Sequence, residues 1–175
     1  MGTHEPGCRV VVGKTSYDEE AKRYLRRSDH YLGNPPPGAL FAIGVRAEVP
    51  GLFGPVGGGQ LMGLCLVGRP VARALPQDGS MGEVTRLHLQ PGLPYGTASR
   101  VLRYAAAIAR ARGMDALISY HERQRHTGCV YRKAGFRPWG PHPRVRKSGW
   151  KSRARSDSAG RAGLTAKRRW LLVLR

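Results

Sequence analysis

The residues best suited to chemistry lie in the segment 83–89, whose sequence is EVTRLHL. Its alternation of residue types predicts a β-strand with one polar face. The two faces are expected to carry Val84, Arg86 and His88 on one side and Thr85, Leu87 and Leu89 on the other. An acid such as Glu83 can take a proton from an attacking amine, and Arg86 can hold a carboxylate or a phosphate. The alternative interpretation is an ion pair on the surface of the strand.

The elements around this strand can be predicted for the N-terminal half of the chain. Ser16 and Glu19 form a capping box, so we expect a helix from there to about Ser28. Glycine and proline interrupt the chain at 30–38, 50–59 and 69–79, which we predict to be loops. The remaining apolar runs predict strands. These strands cover residues 8–13, 39–47, 60–68 and 83–89, and the second and third are expected to form an antiparallel hairpin.

The C-terminal half predicts a long helix, a strand and a short helix. Apolar residues recur at helical spacing from residue 97 to Arg112, and Gly113 follows as a C-cap. A strand is expected at 116–120, a short helix at 127–134, a strand from Phe136 and a last strand within 167–175. This order of elements predicts one α/β domain over residues 1–175.

The charge of the chain favours a polyanionic partner. The 175 residues include 30 Lys and Arg against 11 Asp and Glu, which gives a formal net charge of +19. Such a charge suits DNA, RNA or an anionic membrane surface. The sequence has no long apolar run, so membrane binding is the least expected of these. A base composition of the genome that favours arginine is the alternative origin of the charge.

Much of this charge lies in a basic segment that begins at about residue 141 and is expected to be closed by the final strand. Trp139, Trp150 and Trp170 are interleaved with the basic residues, and this mixture suits phosphate contact with base stacking. A solvated surface is the alternative. The candidate DNA-binding residues are Arg144, Arg146, Lys147, Trp150, Lys151, Arg153, Arg155, Lys167 and Arg168.

The cysteines and histidines predict neither a disulfide framework nor a structural zinc site. Cys8, Cys65 and Cys129 are scattered and odd in number, which favours a reducing compartment and a cytoplasmic location. No pair of cysteines or histidines has the spacing of a structural zinc site.

Three segments in order resemble the GNAT superfamily of acyltransferases: LMGLCLV, VTRLHLQPGLPYGTASRVLRYAAAIARARG and HTGCVYRKAGFRPWG. The resemblance implies a three-layer α/β fold with a central mixed, mostly antiparallel sheet flanked by helices. Its middle segment is similar to the strand, loop and helix that bind coenzyme A, which implies an acyl-CoA donor such as acetyl-CoA. Leu93 and Pro94 depart from the family pattern, so we predict weak binding of acetyl-CoA. The implied donor-binding residues are Leu87, Leu89, Gly96, Thr97, Ala98 and Ser99.

A narrower resemblance is to the Mom family of phage-encoded, GNAT-like proteins that modify adenine in DNA. It is carried by SDHYLGNPP, LVGRPVARAL, EVTRL and LISYHERQRHTGCVYRKAGF. The resemblance implies a transferase that acts on the exocyclic amine of adenine, in a base flipped out of duplex DNA. The alternatives are a conventional acetyl-CoA-dependent N-acetyltransferase for a small-molecule or protein amine, and a non-catalytic basic binding protein. The donor, the target base and its sequence context, a requirement for a metal and the oligomeric state stay open.

These resemblances also imply roles for single residues. Tyr131 matches the tyrosine that protonates the departing thiolate in GNAT enzymes, and the alternative is a tyrosine packed in the core. His30 and Tyr31 match a His-Tyr pair over the acceptor site, although they could also be exposed loop residues. Ser119 and Glu122 match polar positions in the Mom-like segment, and the alternative is a solvated strand end.

Overall fold

The computed structural model describes residues 10–29, 34–47, 49–51, 54–56, 59–124, 126–140 and 167–174. Nine strands and four helical segments are present in this part of the chain. In chain order they are β1 (Val10–Thr15), a π-helical segment (Tyr17–Ala21) that runs into α1 (Lys22–Arg27), β2 (Phe41–Ala47), β3 (Val49–Gly51), β4 (Gly54–Val56), β5 (Leu61–Gly68), β6 (Met81–Leu89), α2 (Thr97–Ala111), β7 (Ala116–Glu122), α3 (Cys129–Lys133), β8 (Arg137–Pro138) and β9 (Lys167–Val173).

Seven of these strands form one sheet in the order β1-β2-β5-β6-β7-β9-β8. β6 and β7 pair in parallel, and every other neighbouring pair is antiparallel. The chain makes the parallel crossover through α2, as a parallel pair requires. The sheet is therefore mixed and mostly antiparallel, as the sequence predicts.

The sheet is covered on both faces, which gives three layers. Cys65 and Val67 of β5 pack in the larger core with the apolar side of α2, which includes Val101 and Leu102. Their neighbours on β5 point to the opposite face and pack against Leu25 of α1. This alternation is the period of two of a strand buried on both faces. The predicted α/β class is confirmed.

A bulge in β6 corrects the predicted faces of this strand. Val67 of β5 lies opposite Val84, but Leu66 lies opposite Arg86, so Thr85 is an extra residue between them. The bulge reverses the alternation, and Val84 joins the core that also contacts Leu87. The prediction that Val84 shares a face with Arg86 and His88 is therefore wrong.

Several predicted boundaries also change. Ser16 caps the first helical segment, since its Oγ accepts a hydrogen bond from the Glu19 N–H at 3.2 Å, but the first turn is π-helical. The predicted loop at 50–59 contains the two-stranded sheet of β3 and β4. The short helix occupies Cys129–Lys133 only, because its N-cap Gly128 has a positive φ of 76°.

Candidate functional site

A cavity lies where β6 and β7 separate. The two strands are paired only over Met81–Val84 and Ala116–Ser119. Beyond these residues β6 stays paired with β5 and β7 with β9, so the strands diverge. The gap is a cavity of about 740 Å³ with walls from β6, the end of β7 and the start of α3. This volume is in the range that holds a small-molecule ligand.

Tyr131 lies on the α3 wall of the cavity and is only 8% exposed. Its hydroxyl accepts a hydrogen bond from Oγ of Ser119 at 3.1 Å. Its ring stacks on Trp170 with a centroid distance of 5.4 Å and on His121 with a centroid distance of 5.7 Å. The structure thus brings together Tyr131 and Ser119, two predicted site residues, and the stacked rings fix the phenol at the cavity wall.

His121 also lines the cavity and was not among the predicted catalytic residues. Nε1–H of Trp170 donates to Nδ1 of His121 at 2.5 Å, so the neutral imidazole carries its proton on Nε2. Burial, followed by the charges of His126 and Arg168, lowers the pKa of His121 to about 4. His121 is therefore a neutral hydrogen-bond donor at neutral pH.

The sequence contains only part of the signal for this cluster. Ser119 and His121 are two residues apart on β7, so their side chains share a face. Trp170 lies 49 residues after His121, and no local pattern connects them. The contact appears only once β9 pairs with β7, where Ser119 lies opposite Trp170.

Gly128 allows α3 to start against these rings. It is the N-cap of α3 and has a φ of 76°, a left-handed conformation that glycine adopts at little cost. A Cβ atom at this position would overlap the indole of Trp170 and lie 2.9 Å from Cε1 of His121. Close approach and backbone conformation both require glycine here, and this places Tyr131 in the first turn of α3 at the cavity.

The opposite wall of the cavity carries polar side chains that are linked by hydrogen bonds. His88 and Asp29 both line the cavity. Nδ1 of His88 lies 2.8 Å from the hydroxyl of Tyr24, and its Nε2 lies 2.9 Å from Oδ1 of Asp29. Burial, followed by the charge of Asp29, raises the pKa of Tyr24 to about 12. The Tyr24 hydroxyl thus stays protonated and can donate to His88.

Arg86 lies on this wall as well, whereas Glu83 does not line the cavity. The Arg86 guanidinium donates to the carbonyls of Thr85 at 2.7 Å and of Asn34 at 3.2 Å. The Glu83 carboxylate accepts a hydrogen bond from the Val71 N–H at 2.8 Å. Burial raises the pKa of Glu83, although the Val71 N–H and nearby positive charges oppose the shift. The role of Glu83 as a base stays a prediction.

Glu122 is buried at the end of β7, opposite Lys167 of β9, and does not line the cavity. Its catalytic role also stays a prediction. Within the described residues, no group of three His, Cys, Asp or Glu side chains is placed to hold a metal ion.

The N-terminus of α2 lies beside the cavity, and Ala98 lines it together with Leu87 and Leu89. Gly96, the N-cap, has a φ of 88°. The hydroxyls of Thr97 and Ser99 are turned inward, since they donate to the carbonyls of Pro94 at 2.6 Å and of Gly96 at 2.9 Å. The Thr97 N–H also donates a hydrogen bond to the carbonyl of Pro94 at 3.1 Å. The N–H groups of Ala98 and Ser99 show no partner among the described residues and can bind an anionic group.

The remaining predicted residues fall in two places. Lys167 and Arg168 lie half-buried in β9, inside the sheet, and Arg168 is opposite His121. Their contact with DNA stays a prediction. Lying outside the described residues are His30, Tyr31, Arg144, Arg146, Lys147, Trp150, Lys151, Arg153 and Arg155.

Residues of two Mom-like motifs, EVTRL and LISYHERQRHTGCVYRKAGF, line this cavity, and sequence comparison agrees with the resemblance. The sequence pattern of the Mom protein family matches residues 11–163, most of the chain. The chain belongs to the Mom protein family. Comparison with curated proteins gave no significant match.

Solved structures confirm that this Mom-family chain has the GNAT fold. The IAA acetyltransferase from Bacillus cereus is 16% identical and has a TM-score of 0.59, covering 95% of this chain and 100% of its own. A Desulfovibrio desulfuricans protein assigned to the GNAT family is 14% identical, with a TM-score of 0.60 and the same coverage. A Bacillus subtilis acetyltransferase in complex with CoA is 14% identical, with a TM-score of 0.52, covering 97% and 100%. Among the described helices of the Mom-family chain, none is long and apolar enough to span a membrane.

Proposed function

We propose that this Mom-family protein is a transferase that modifies a base in DNA, at the exocyclic amine of adenine. The observation that carries the proposal is the cavity between β6 and β7, which has two chemically different walls. One wall holds the hydroxyl of Tyr131 within stacked aromatic rings. The other carries Arg86, His88 and Asp29. Such a site can hold a polar acceptor on one side and a transferable group on the other.

The polar wall suits the acceptor. An exocyclic amine of adenine is a weak nucleophile because its lone pair is delocalised into the ring, so reaction depends on placing it against the donor and excluding water. The Asp29 carboxylate, bonded to Nε2 of His88 at 2.9 Å, supplies a hydrogen-bond acceptor next to the cavity. Hydrogen bonds of this kind orient a base through its edge once it has left the duplex.

The Tyr131 wall suits the donor. A phenol next to the leaving group can give it a proton as it departs. The free N–H groups at the start of α2 lie beside this wall and fit an anionic part of the donor. They are consistent with an acyl-CoA-type donor, while the inward hydroxyls of Thr97 and Ser99 leave few other ligands for a phosphate.

The net charge of +19 supports DNA as the acceptor. A strongly basic protein gains affinity for DNA when phosphate contacts release counterions. A base in duplex DNA must be flipped out to reach a cavity, which costs a few kcal/mol that these contacts can offset.

The test is the mass profile of nucleosides from DNA of cells that produce the protein. We expect a modified deoxyadenosine that is absent without the protein. Tyr131→Phe keeps the ring stack, so the protein should fold and bind DNA, while the modified nucleoside falls about 100-fold to 10,000-fold. Tyr104→Phe is the matched control, since Tyr104 lies on α2 away from the cavity walls. No modified nucleoside with the parent protein refutes the proposal, and full activity of Tyr131→Phe makes Tyr131 structural.

The second candidate is a conventional N-acetyltransferase for a small-molecule or protein amine. It is favoured by the similarity of the fold to acetyltransferases, one of them in complex with CoA. Turnover of acetyl-CoA with a small amine in the absence of DNA, together with unmodified DNA in cells, would establish it.

A further inference from the structure

A second groove, of about 520 Å³, lies on the α1 side of the molecule, and we call it the α1 groove. Its polar side chains are those of Glu20, Arg23, Tyr24, Arg27, Ser28, Arg46 of β2, Gln60 and Gln90. Arg23 and Arg27 are four residues apart on the helix, so both side chains lie on the same side. The groove thus brings three guanidinium groups and two amides to one concave surface.

The charges in the α1 groove do not cancel. Arg46 is held by Glu20 at 2.7 Å and by the Gly59 carbonyl at 2.8 Å. A hydrogen bond from Thr15, and then Arg46, lower the pKa of Glu20, so its carboxylate is ionised and balances Arg46. Arg23 and Arg27 make no hydrogen bond or ion pair to any described residue. Two uncompensated guanidinium groups therefore face the groove, and this group binds phosphate in a bidentate manner.

The α1 groove and the cavity share a wall that is one side chain thick. Tyr24, which lines the groove between the two arginines, is bonded to His88, which lines the cavity. Gln90 of the groove directly follows Leu89 of the cavity wall. A base held in the cavity stays attached to its sugar and phosphates, so its strand must leave across a surface next to the cavity. The groove is the adjoining positive surface on the α1 side.

We propose that the α1 groove binds backbone phosphates of the DNA strand whose base enters the cavity, with Arg23 and Arg27 as the contacts. The claim that this strand carries the base to be modified rests on the proposed function. The claim that the groove binds phosphates depends only on the charges and shape of the groove. The contacts are independent of sequence, because guanidinium groups on phosphates carry no base information. They fix the position of the strand while the polar wall of the cavity meets the base.

The test uses the full chain with both arginines replaced, Arg23→Gln and Arg27→Gln, and a 20-base-pair duplex in fluorescence anisotropy. Each lost phosphate contact lowers the slope of log affinity against log salt by about 0.9, so we expect a slope smaller by up to about 2. Affinity at low salt should fall roughly tenfold or more. The matched control is Arg73→Gln with Arg103→Gln, which removes the same charge from two exposed sites outside the groove. Melting temperatures should be unchanged in both variants.

The outcomes separate the groove from the base chemistry. If the Arg23 and Arg27 double variant binds DNA like the Arg73 and Arg103 control, the proposal that the α1 groove binds phosphates is refuted, even if the parent protein modifies DNA. Loss of DNA affinity and slope supports the groove, even if no modified nucleoside is found and the proposed function fails. Binding of a polyglutamate peptide but not of duplex DNA, lost in the double variant, would assign the groove to an acidic protein and overturn the proposal.

Discussion

Gly128→Ala tests whether the ring cluster around Tyr131 is as rigid as its geometry indicates. An alanine at a φ of 76° carries the cost of a left-handed residue, about 1–2 kcal/mol. Its Cβ would also overlap the indole of Trp170, which is fully buried, and press on His121. Forcing an extra methyl group into a packed core typically costs about 1–3 kcal/mol. We therefore expect a loss of roughly 2–5 kcal/mol in the free energy of unfolding.

Gly113→Ala separates the two contributions. Gly113 has the same φ of 76°, but a Cβ there meets no atom within 4 Å. The free energy of unfolding of Gly113→Ala should therefore fall only by the cost of the left-handed backbone, about 1–2 kcal/mol. For a chain of this size 1 kcal/mol shifts the melting temperature by about 2–4 °C, so Gly128→Ala should melt roughly 2–12 °C below Gly113→Ala.

Thermal unfolding followed by circular dichroism measures this difference. Yield of the modified nucleoside should also fall for Gly128→Ala and not for Gly113→Ala, because only the first displaces Tyr131 from the cavity wall. Equal melting temperatures of the two variants would show that Trp170 and His121 move aside easily. The inference that the ring cluster holds Tyr131 rigidly at the cavity wall would then be wrong.

Two further predictions concern the titration of His121 and the donor. Between pH 6.5 and about 4 the unfolded chain binds a proton at His121 that the folded chain does not. The free energy of unfolding therefore decreases as the pH is lowered, by about 2 kcal/mol from pH 7 to pH 5. Urea midpoints should show this loss in the parent and a smaller loss in His121→Gln, and equal losses in both would contradict the assignment. Acetyl-CoA should bind weakly in calorimetry, since Pro94 supplies no N–H and the Thr97 and Ser99 hydroxyls are turned inward. Tight binding would favour the conventional acetyltransferase.

The sequence predicts the order of elements and the long helix well, because these depend on local patterns. The apolar spacing of α2 and the glycine at residue 113 lie within one segment and need no partner. The bulge at Thr85 could not be predicted this way. A regular alternation fits segment 83–89 equally well, and the extra residue is defined only by the register with β5.

The candidate site shows the same division. Tyr131 and Ser119 were found through motif resemblance, and the structure joins them by a hydrogen bond. His121 was missed because a lone histidine in a strand carries no signal of its role. Its state is set by Trp170, which reaches it through strand pairing across a large separation in sequence. Asp29 was missed for a similar reason, since its partner His88 is 59 residues away.

The strand order has a consequence for how the molecule assembles. β1, β2, β5 and β6 come from one continuous stretch of chain, while β7, β9 and β8 come from a later stretch. The pairing of strands within each stretch requires no residue of the other. Within the sheet, the two stretches meet only along the short parallel ladder between β6 and β7, although α2 also contacts both. The cavity exists only where they meet and then diverge, so neither stretch contains it alone. The cavity therefore forms only when the two stretches dock, and a nascent chain that stops at residue 113 carries the polar wall without Tyr131.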